Sequence, residues 1–483
     1  MNGLNRSFKG PESYRNGSSY RLLPMKFMRF RDDRYLVTSM GGDYMFLSQT
    51  KLNDIVTHKL QQTDTLYPDL LASHLIADDS STAHLDLLAA KYRTRHSRLP
   101  SWTALHMFVT TLRCDHSCQY CQVSRVSEDR ESFDMTPAIA DRAIGLMFQS
   151  PSACLKVEFQ GGESLLNFDL VRYIVSEAKR RNDGRQLEFV ITTNLANLTE
   201  EILSFSEEHG ISFSTSLDGP AALHNANRPR PGRDSHAKTE EGIERLRQRL
   251  GKDAVSALMT TTAASLDQPE RIIDEYVRMG FDSIFLRYIS PYGFAVKSSA
   301  RIGYETKKFV DFFKRGLAYI VDLNRRGIFV RETYTQIVLQ KILMPGASGY
   351  IDLQSPAGMG ISGIVYNYNG EVYSSDEGRM LAEMGDRTFR LGTVHDTYEK
   401  LFLDSPLLPM IHESMLEGVP GCTDCALQPY CGSDPVFHHR TQGDFIGHRP
   451  TSSFCERNMA IIKHILTLLE DDKETASILK SWL

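Results

Sequence analysis

Apolar and polar positions alternate differently in three stretches of the chain. Phe27 to Phe30, Tyr35 to Thr38 and Tyr44 to Leu47 are short apolar and aromatic runs separated by Asp32-Asp33 and Gly41-Gly42-Asp43, which predicts a small antiparallel sheet. Ser48 can cap a helix in which Leu52, Ile55, Val56 and Leu60 share a face, and Leu66, Tyr67, Leu70 and Leu71 predict a second helix. Three strands followed by two helices are winged-helix-like, and such a module is expected over residues 20–95. Before it, Asn2-Gly3, Gly10-Pro11 and Asn16-Gly17-Ser18-Ser19 are turn and linker signals, so residues 1–19 are expected to form a disordered tail.

From Leu105 the pattern becomes a regular alternation of strands and helices. Candidate strands are Leu105–Thr111, Leu155–Phe159, Leu187–Thr193, Ile211–Leu217, Val255–Thr262 and Ser283–Ile289. Thr136 and Pro137 open one intervening helix, with Ile139, Ala143, Leu146 and Met147 on one face; Thr199 opens another and Gly210 closes it. Six such repeats predict an α/β fold with a parallel sheet whose chemistry lies at the C-terminal ends of the strands. After Pro291-Tyr292-Gly293 the repeat stops, and helices are predicted over about 304–325 and 334–343. Residues 350–460 carry few apolar runs, too few for a large core, so a metal centre is expected to hold them together.

Composition narrows the possibilities. With 483 residues, two to four domains are expected. The formal net charge of −5 supplies no global field for nucleic acid. No stretch approaches the roughly 18 apolar residues of a membrane span, and the polar opening Met1-Asn2-Gly3-Leu4-Asn5-Arg6-Ser7 is unlike a secretory signal, so a cytoplasmic location without membrane contact is expected. Of eight cysteines, three fall within 114–121 and four within 422–455. Thiols clustered in a long chain read better as metal ligands than as a disulfide framework.

The strongest signal is Cys114-Asp-His-Ser-Cys118-Gln-Tyr-Cys121, directly after the first predicted strand. Three thiolates on a tight loop can hold three irons of a [4Fe–4S] cube and leave the fourth open to an exogenous ligand. The alternative is zinc, with His116 as fourth ligand. Phe159-Gln160-Gly161-Gly162-Glu163 ends the second strand; its glycines admit close backbone approach, and its carboxylate suits an amino group. Thr193-Asn194 and Ser216-Leu217-Asp218-Gly219 end the third and fourth strands, so four polar motifs share one end of the sheet.

With these motifs the sequence resembles, over about residues 100–460, the radical S-adenosylmethionine (SAM) superfamily, and within it the peptide-modifying branch with a C-terminal SPASM-type cluster domain. The resemblance implies a partial (β/α)6 TIM-like barrel over 96–330, a SPASM-like auxiliary-cluster domain over 331–465 and a C-terminal helix over 466–483. It implies that Cys114, Cys118 and Cys121 bind the reducing cluster, whose open iron chelates SAM. One electron then splits the sulfonium to give methionine and a 5′-deoxyadenosyl radical that takes a substrate hydrogen. Tyr120 matches the aromatic residue near the adenine, and Gly161, Gly162 and Glu163 match the methionine-amine site. Asn194, Ser216 and Asp218 fall among the SAM contacts, and Arg228 and Arg287 are candidates for the methionine carboxylate or nearby contacts.

The second group, Cys422-x2-Cys425-x5-Cys431 with Cys455, looks like the SPASM signature with two departures: Pro435 and Ser375 occupy positions where that family has cysteine. The resemblance then implies ligands for one auxiliary [4Fe–4S] cluster and not for a second, while four thiolates also suit structural zinc. Asp376 stands where sulfatase-maturing relatives carry a proposed base, although a turn aspartate is the plainer reading. His438, His439 and His448, near the second cysteine group, are either further metal ligands or, as the commoner case, hydrogen-bonded or surface histidines; Lys179-Arg180-Arg181 reads as the basic end of a helix, Cys154 as a small buried hydrophobe, and Arg228–Arg233 as a solvated basic loop that can guide an acidic peptide.

Within the superfamily the likeness is greatest to the B-type maturases of the bacterial His-Xaa-Ser system. That implies a precursor peptide or small protein with His-Xaa-Ser repeats, a second radical SAM protein of the same system, a low-potential flavodoxin- or ferredoxin-like electron donor, and peptide recognition by the N-terminal module. The alternatives are a non-catalytic scaffold stabilised by zinc or a cluster, and a radical SAM enzyme acting on a small molecule.

Overall fold

The structure is a computed structural model that describes residues 20–79, 83–123, 126, 129–344, 346 and 350–483. The tail expected over 1–19 lies outside the described residues. The chain divides into two compact units, one of residues 1–97, 341–347 and 421–430, the other of 98–340, 348–420 and 431–483.

In the first unit, Met25–Arg31, Arg34–Ser39 and Tyr44–Ser48 form a three-stranded antiparallel sheet. Ser48 accepts the Lys51 N–H and starts the helix Gln49–Val56, as its position predicted. Helices Tyr67–Ala72 and Ala83–Arg95 follow, the latter not foreseen in the sequence. Val37, Leu47, Leu52, Ile55, Tyr67 and Leu70 form the core. The segment 421–430 is held by Thr38 Oγ1 donating to the Ala426 carbonyl at 3.0 Å and Tyr430 Oη to the Gly42 carbonyl at 2.9 Å.

The second unit is built on a mixed sheet of eight strands. Its order is Val255–Leu258, Ile211–Ser216, Gln186–Thr192, Cys154–Gly161, Leu105–Thr111, Gly363–Tyr366, Glu371–Tyr373, Arg390–Thr393. The first six are mutually parallel and the last two add antiparallel. Leu105–Thr111, flanked on both sides, is buried almost throughout, as an interior parallel strand must be. The expected helices are present. Thr136 caps Pro137–Met147, Thr199 caps Glu200–His209, and Gly210 ends the latter at φ 65°, where a side chain would be strained.

Three expectations require correction. The sixth strand is only Ser283–Ile284, and it pairs with Arg331–Glu332 in a separate two-stranded sheet rather than extending the barrel. Beyond it, the Glu332 carboxylate accepts the Leu286 N–H at 3.2 Å, taking the place of a neighbouring strand. Residues 350–460 do contain a core: Ala357, Met359, Met380, Leu381, Phe389, Met410 and Val436 pack around Tyr292, and Gly363–Tyr366 joins the main sheet. Cys154 is half-buried, with its Sγ 3.8 Å from Glu188 Oε1, rather than a core residue. Among the described residues no helix is long and apolar enough to cross a membrane.

Candidate functional site

Where the strands Leu105–Thr111, Cys154–Gly161, Gln186–Thr192 and Ile211–Ser216 end, their last and following residues border an open cavity. Cys114, Cys118, Cys121, Glu163, Ser216 and Arg228 line it. Tyr120, Gly161, Gly162, Asn194 and Arg287 line it too, whereas Asp218 does not.

Local backbone contacts explain the placement. Gly162 N–H donates to the Thr111 carbonyl at 2.8 Å and Glu163 N–H to the Arg113 carbonyl at 2.7 Å, so the Gly-Gly-Glu turn lies against the chain that enters the cysteine loop. A Cβ on Gly161 would stand 2.1 Å from the Thr111 oxygen, and one on Gly162 2.2 Å from the Arg113 oxygen. Only glycine fits at either position. The loop itself is fastened to residues 226–229: Ser117 N–H meets the Pro229 carbonyl at 2.7 Å and Gln119 N–H the Asn227 carbonyl at 3.0 Å. Its exit is held by Phe294 N–H on the Cys121 carbonyl at 2.7 Å. Gly293, at φ 58°, makes that approach possible, because its Cβ would lie 2.5 Å from the Gln122 oxygen.

Around the cysteines the polar groups form two networks. Glu163 is buried and accepts from Thr193 Oγ1 at 2.6 Å, Asn194 N–H at 2.8 Å and Leu165 N–H at 3.0 Å. Burial pushes its carboxyl up to about 7 against those three hydrogen bonds. In the second network, Tyr120 Oη donates to Asp218 at 2.7 Å and accepts from Arg228 Nη1 at 2.9 Å. Asp218 also accepts the Thr260 N–H at 3.2 Å, and burial raises its carboxyl above the usual range. Asp218 thus holds Tyr120 and, through it, Arg228 at the cavity wall.

The donor set fits an iron–sulfur cube better than a closed zinc site. Burial pushes the Cys118 thiol up to about 11, and burial together with Glu163 raises Cys114 further. Such thiols become thiolates when a metal takes up their charge. His116 has no ring nitrogen to spare for zinc. Nδ1 lies 2.9 Å from Asp115 Oδ1 and from Asn194 Nδ2, and Nε2 lies 3.0 Å from Ser235 Oγ. Among the described residues no three His, Cys, Asp or Glu side chains converge on a point where a single ion would sit. All three cysteines line the same cavity, which suits a body with separated corners.

The other sequence candidates fall elsewhere. Cys422 and Cys425 belong to the first unit, where Cys425 N–H closes a turn on the Cys422 carbonyl at 3.1 Å. Cys431 and Cys455 belong to the second, with Cys455 in the first turn of the helix Ser453–Asp471. Ser375 caps the helix Asp376–Ala382, and Pro435 begins Pro435–Gln442 behind Asp434. Both non-cysteine positions of the second motif therefore start helices. Asp376 accepts two hydrogen bonds at 3.0 Å from the buried Arg379. Each of the three histidines read as hydrogen-bonded has a partner: His438 with Ser452, His439 with Asp386 and His448 with Thr451.

Sequence reasoning placed Thr193 at a strand end without its role as donor to Glu163, and it missed Asp115 and Thr260, which also hold the polar networks. It also missed Arg113, whose guanidinium binds both oxygens of Asp134 at 2.7 and 2.8 Å just before Cys114. Asp115 sits inside the cysteine motif, and that position was the available signal. The rest depend on pairings between distant segments.

Residues 108–276 match the family described as the Radical SAM superfamily. A curated relative, the radical SAM cyclopropyl synthase TigE of Paramaledivibacter caminithermalis, is 20% identical over 250 residues, 49% of this chain and 50% of that protein. An uncharacterized protein of Methanocaldococcus jannaschii, MJ0907, is 26% identical over 182 residues, 38% of this chain and 61% of that one. The matches thus span between half and two thirds of these relatives' lengths. Among solved structures, anSMEcpe with bound AdoMet aligns with a TM-score of 0.64 at 16% identity, covering 78% of this chain and 99% of that one. Streptococcus suis SuiB bound to precursor peptide SuiA aligns at 0.53 and 14% identity, covering 89% and 98%. At these identities the structural likeness is one of fold. The matched segment carries all three cysteines of the loop and the Gly-Gly-Glu turn, and it supplies four whole neighbouring strands of the sheet and the end of a fifth: residues 108–276 form a Radical SAM superfamily domain.

Proposed function

We propose that this chain is a radical SAM enzyme that modifies a ribosomally made peptide or small protein, of the His-Xaa-Ser type. The observation that carries the reading is the convergence of Cys114, Cys118, Cys121 and the Gly-Gly-Glu turn on one cavity at the strand ends. In this reading the three cysteines hold a [4Fe–4S] cluster with one iron open to SAM. Cluster and SAM together supply reductive cleavage to methionine and a 5′-deoxyadenosyl radical.

The chain's own residues bind and orient. The Gly161-Gly162 backbone and Glu163 receive the amino group of SAM, and the carboxylate of Glu163 is fixed by Thr193 and Asn194 before ligand arrives. Arg228, fixed by Tyr120, faces the methionine carboxylate, with Arg287 as a second cation lining the same cavity. Ser216 and the ring of Tyr120 border the nucleoside. Asn194 serves mainly to hold Asp115 and His116, so it positions the cysteine loop. On the likeness of the sequence to the SPASM signature alone, Cys422, Cys425, Cys431 and Cys455 are read as ligands of one auxiliary cluster. Asp376 is a weaker base candidate, because Arg379 already engages it.

A peptide substrate is supported by the fold likeness to structures that carry one, SuiB with SuiA and anSMEcpe with its Cp18Cys peptide. The partner radical SAM protein and a low-potential electron donor follow from the His-Xaa-Ser resemblance. The test is anaerobic co-expression with short reading frames neighbouring the gene, followed by mass measurement of the peptides. A mass change or deuterium uptake that depends on Cys118 supports the reading. Unaltered peptides beside an enzyme that still cleaves SAM would overturn the peptide assignment.

A further inference from the structure

A second, narrower cavity adjoins the first, and Arg287 lines both. Its walls are mainly aromatic, including Phe285, Tyr288, Phe313, Tyr334 and Phe437. Four charged side chains reach it: Arg287, Glu377, Asp434 and Arg457. The first three are already engaged, Asp434 among them as the cap of Pro435–Gln442, where it accepts the Phe437 N–H at 2.9 Å.

Arg457 differs from these. Its guanidinium carbon lies 4.4 Å from the centre of the Tyr288 ring and 5.4 Å from that of Phe454. Among the described residues it makes no hydrogen bond or ion pair. Tyr288 is itself fixed edge-on against Tyr304 at 5.4 Å and Phe309 at 5.0 Å. Stacking of this kind uses the faces of a guanidinium and leaves its N–H donors, which lie in the plane, for an acceptor in that plane. A carboxylate matches that fork with two parallel hydrogen bonds, stronger in a cavity walled by aromatic rings than in open water.

We propose that Arg457 is the specificity-determining residue of a substrate pocket and pairs with a carboxylate of the peptide, while the aromatic walls take up the apolar part of the same or the adjoining residue. This rests on the reading that the substrate is a peptide. The carboxylate can be a side chain or the chain terminus, and the probes distinguish the two.

The test uses the full chain with its clusters reconstituted and reads binding by ligand-observed NMR, without turnover. The probes are N-acetylphenylalanine against N-acetylphenylalaninamide for a terminal carboxylate, and acetyl-Phe-Glu-amide against acetyl-Phe-Gln-amide for a side chain. At least one carboxylate is expected to bind about tenfold tighter than its neutral twin. R457Q is expected to erase that preference and R457K to restore part of it, with iron content and visible absorbance unchanged. Equal binding of the twins by the unaltered protein overturns the proposal without needing any variant, as does a preference that survives in R457Q. Release of 5′-deoxyadenosine, measured separately, reports on the enzymatic reading, so the two can fail independently.

Discussion

Replacing Gly162 with alanine tests how the Gly-Gly-Glu turn is built. The new Cβ would stand 2.2 Å from the Arg113 oxygen and 2.5 Å from the Leu112 oxygen, both backbone atoms that cannot rotate away. Ordinary contact requires about 1 Å more, so the turn must part from the strand end by roughly that distance. The Gly162–Thr111 and Glu163–Arg113 hydrogen bonds, at 2.8 and 2.7 Å, would then open beyond bonding range. Two buried N–H groups left without partners cost about 2–6 kcal/mol together. Glu163 and the entry to Cys114 would be displaced from one another, and a misplacement of about 1 Å at a reacting centre costs on the order of a hundredfold in rate. The assay is 5′-deoxyadenosine release by anaerobically reconstituted protein, alongside iron content and equilibrium dialysis of SAM. Gly145→Ala is the control: nothing lies within 4 Å of its Cβ, and the change favours the helix Pro137–Met147 by about 0.5–1 kcal/mol. A Gly162→Ala protein with the parent's rate and SAM affinity would refute the reasoning.

Two further predictions concern buried polar groups. Tyr120→Phe removes the hydroxyl between Asp218 and Arg228, so SAM affinity should fall about tenfold while iron content holds; unchanged dialysis curves would count against the role given to that hydroxyl. Glu332 is fully buried, and burial pushes its carboxyl up to about 7 from an ordinary 4.5, against hydrogen bonds from Thr335, Leu286 and Tyr334. The folded state therefore holds this proton more tightly than the unfolded chain. The associated stability is full below about pH 4.5 and is lost as pH rises through 7, by about 3 kcal/mol. Denaturation of the parent and E332Q at pH 5 and 7.5 should show their stability difference changing with pH, and parallel behaviour would contradict this.

What was legible in the sequence was local. Caps at Ser48, Thr136 and Thr199 act within their own first turns, and Cys114-x3-Cys118-x2-Cys121 and Gly161-Gly162-Glu163 occupy short loops after apolar runs, so spacing alone placed them at strand ends. What stayed hidden depends on partners far along the chain. Ser283–Ile289 has the alternation of a strand, yet a carboxylate from Glu332, rather than another strand, takes the Leu286 N–H. His116 looks like a ligand inside its motif until Ser235, 119 residues away, is seen to take its second nitrogen. Arg457 has no motif at all, and only the packing of Tyr288 against it marks it out.

In the proposed reading, Cys114, Cys118 and Cys121 present an incompletely ligated iron to SAM, an arrangement open to chemical analysis. Its most direct test is iron, sulfide and zinc analysis of oxygen-free protein together with 5′-deoxyadenosine release under a low-potential reductant, for the parent and for Cys118→Ala. Iron and sulfide at this loop, with nucleoside release abolished in the variant, is the predicted result. Zinc in place of iron, or nucleoside release that persists without the Cys118 thiol, would contradict it.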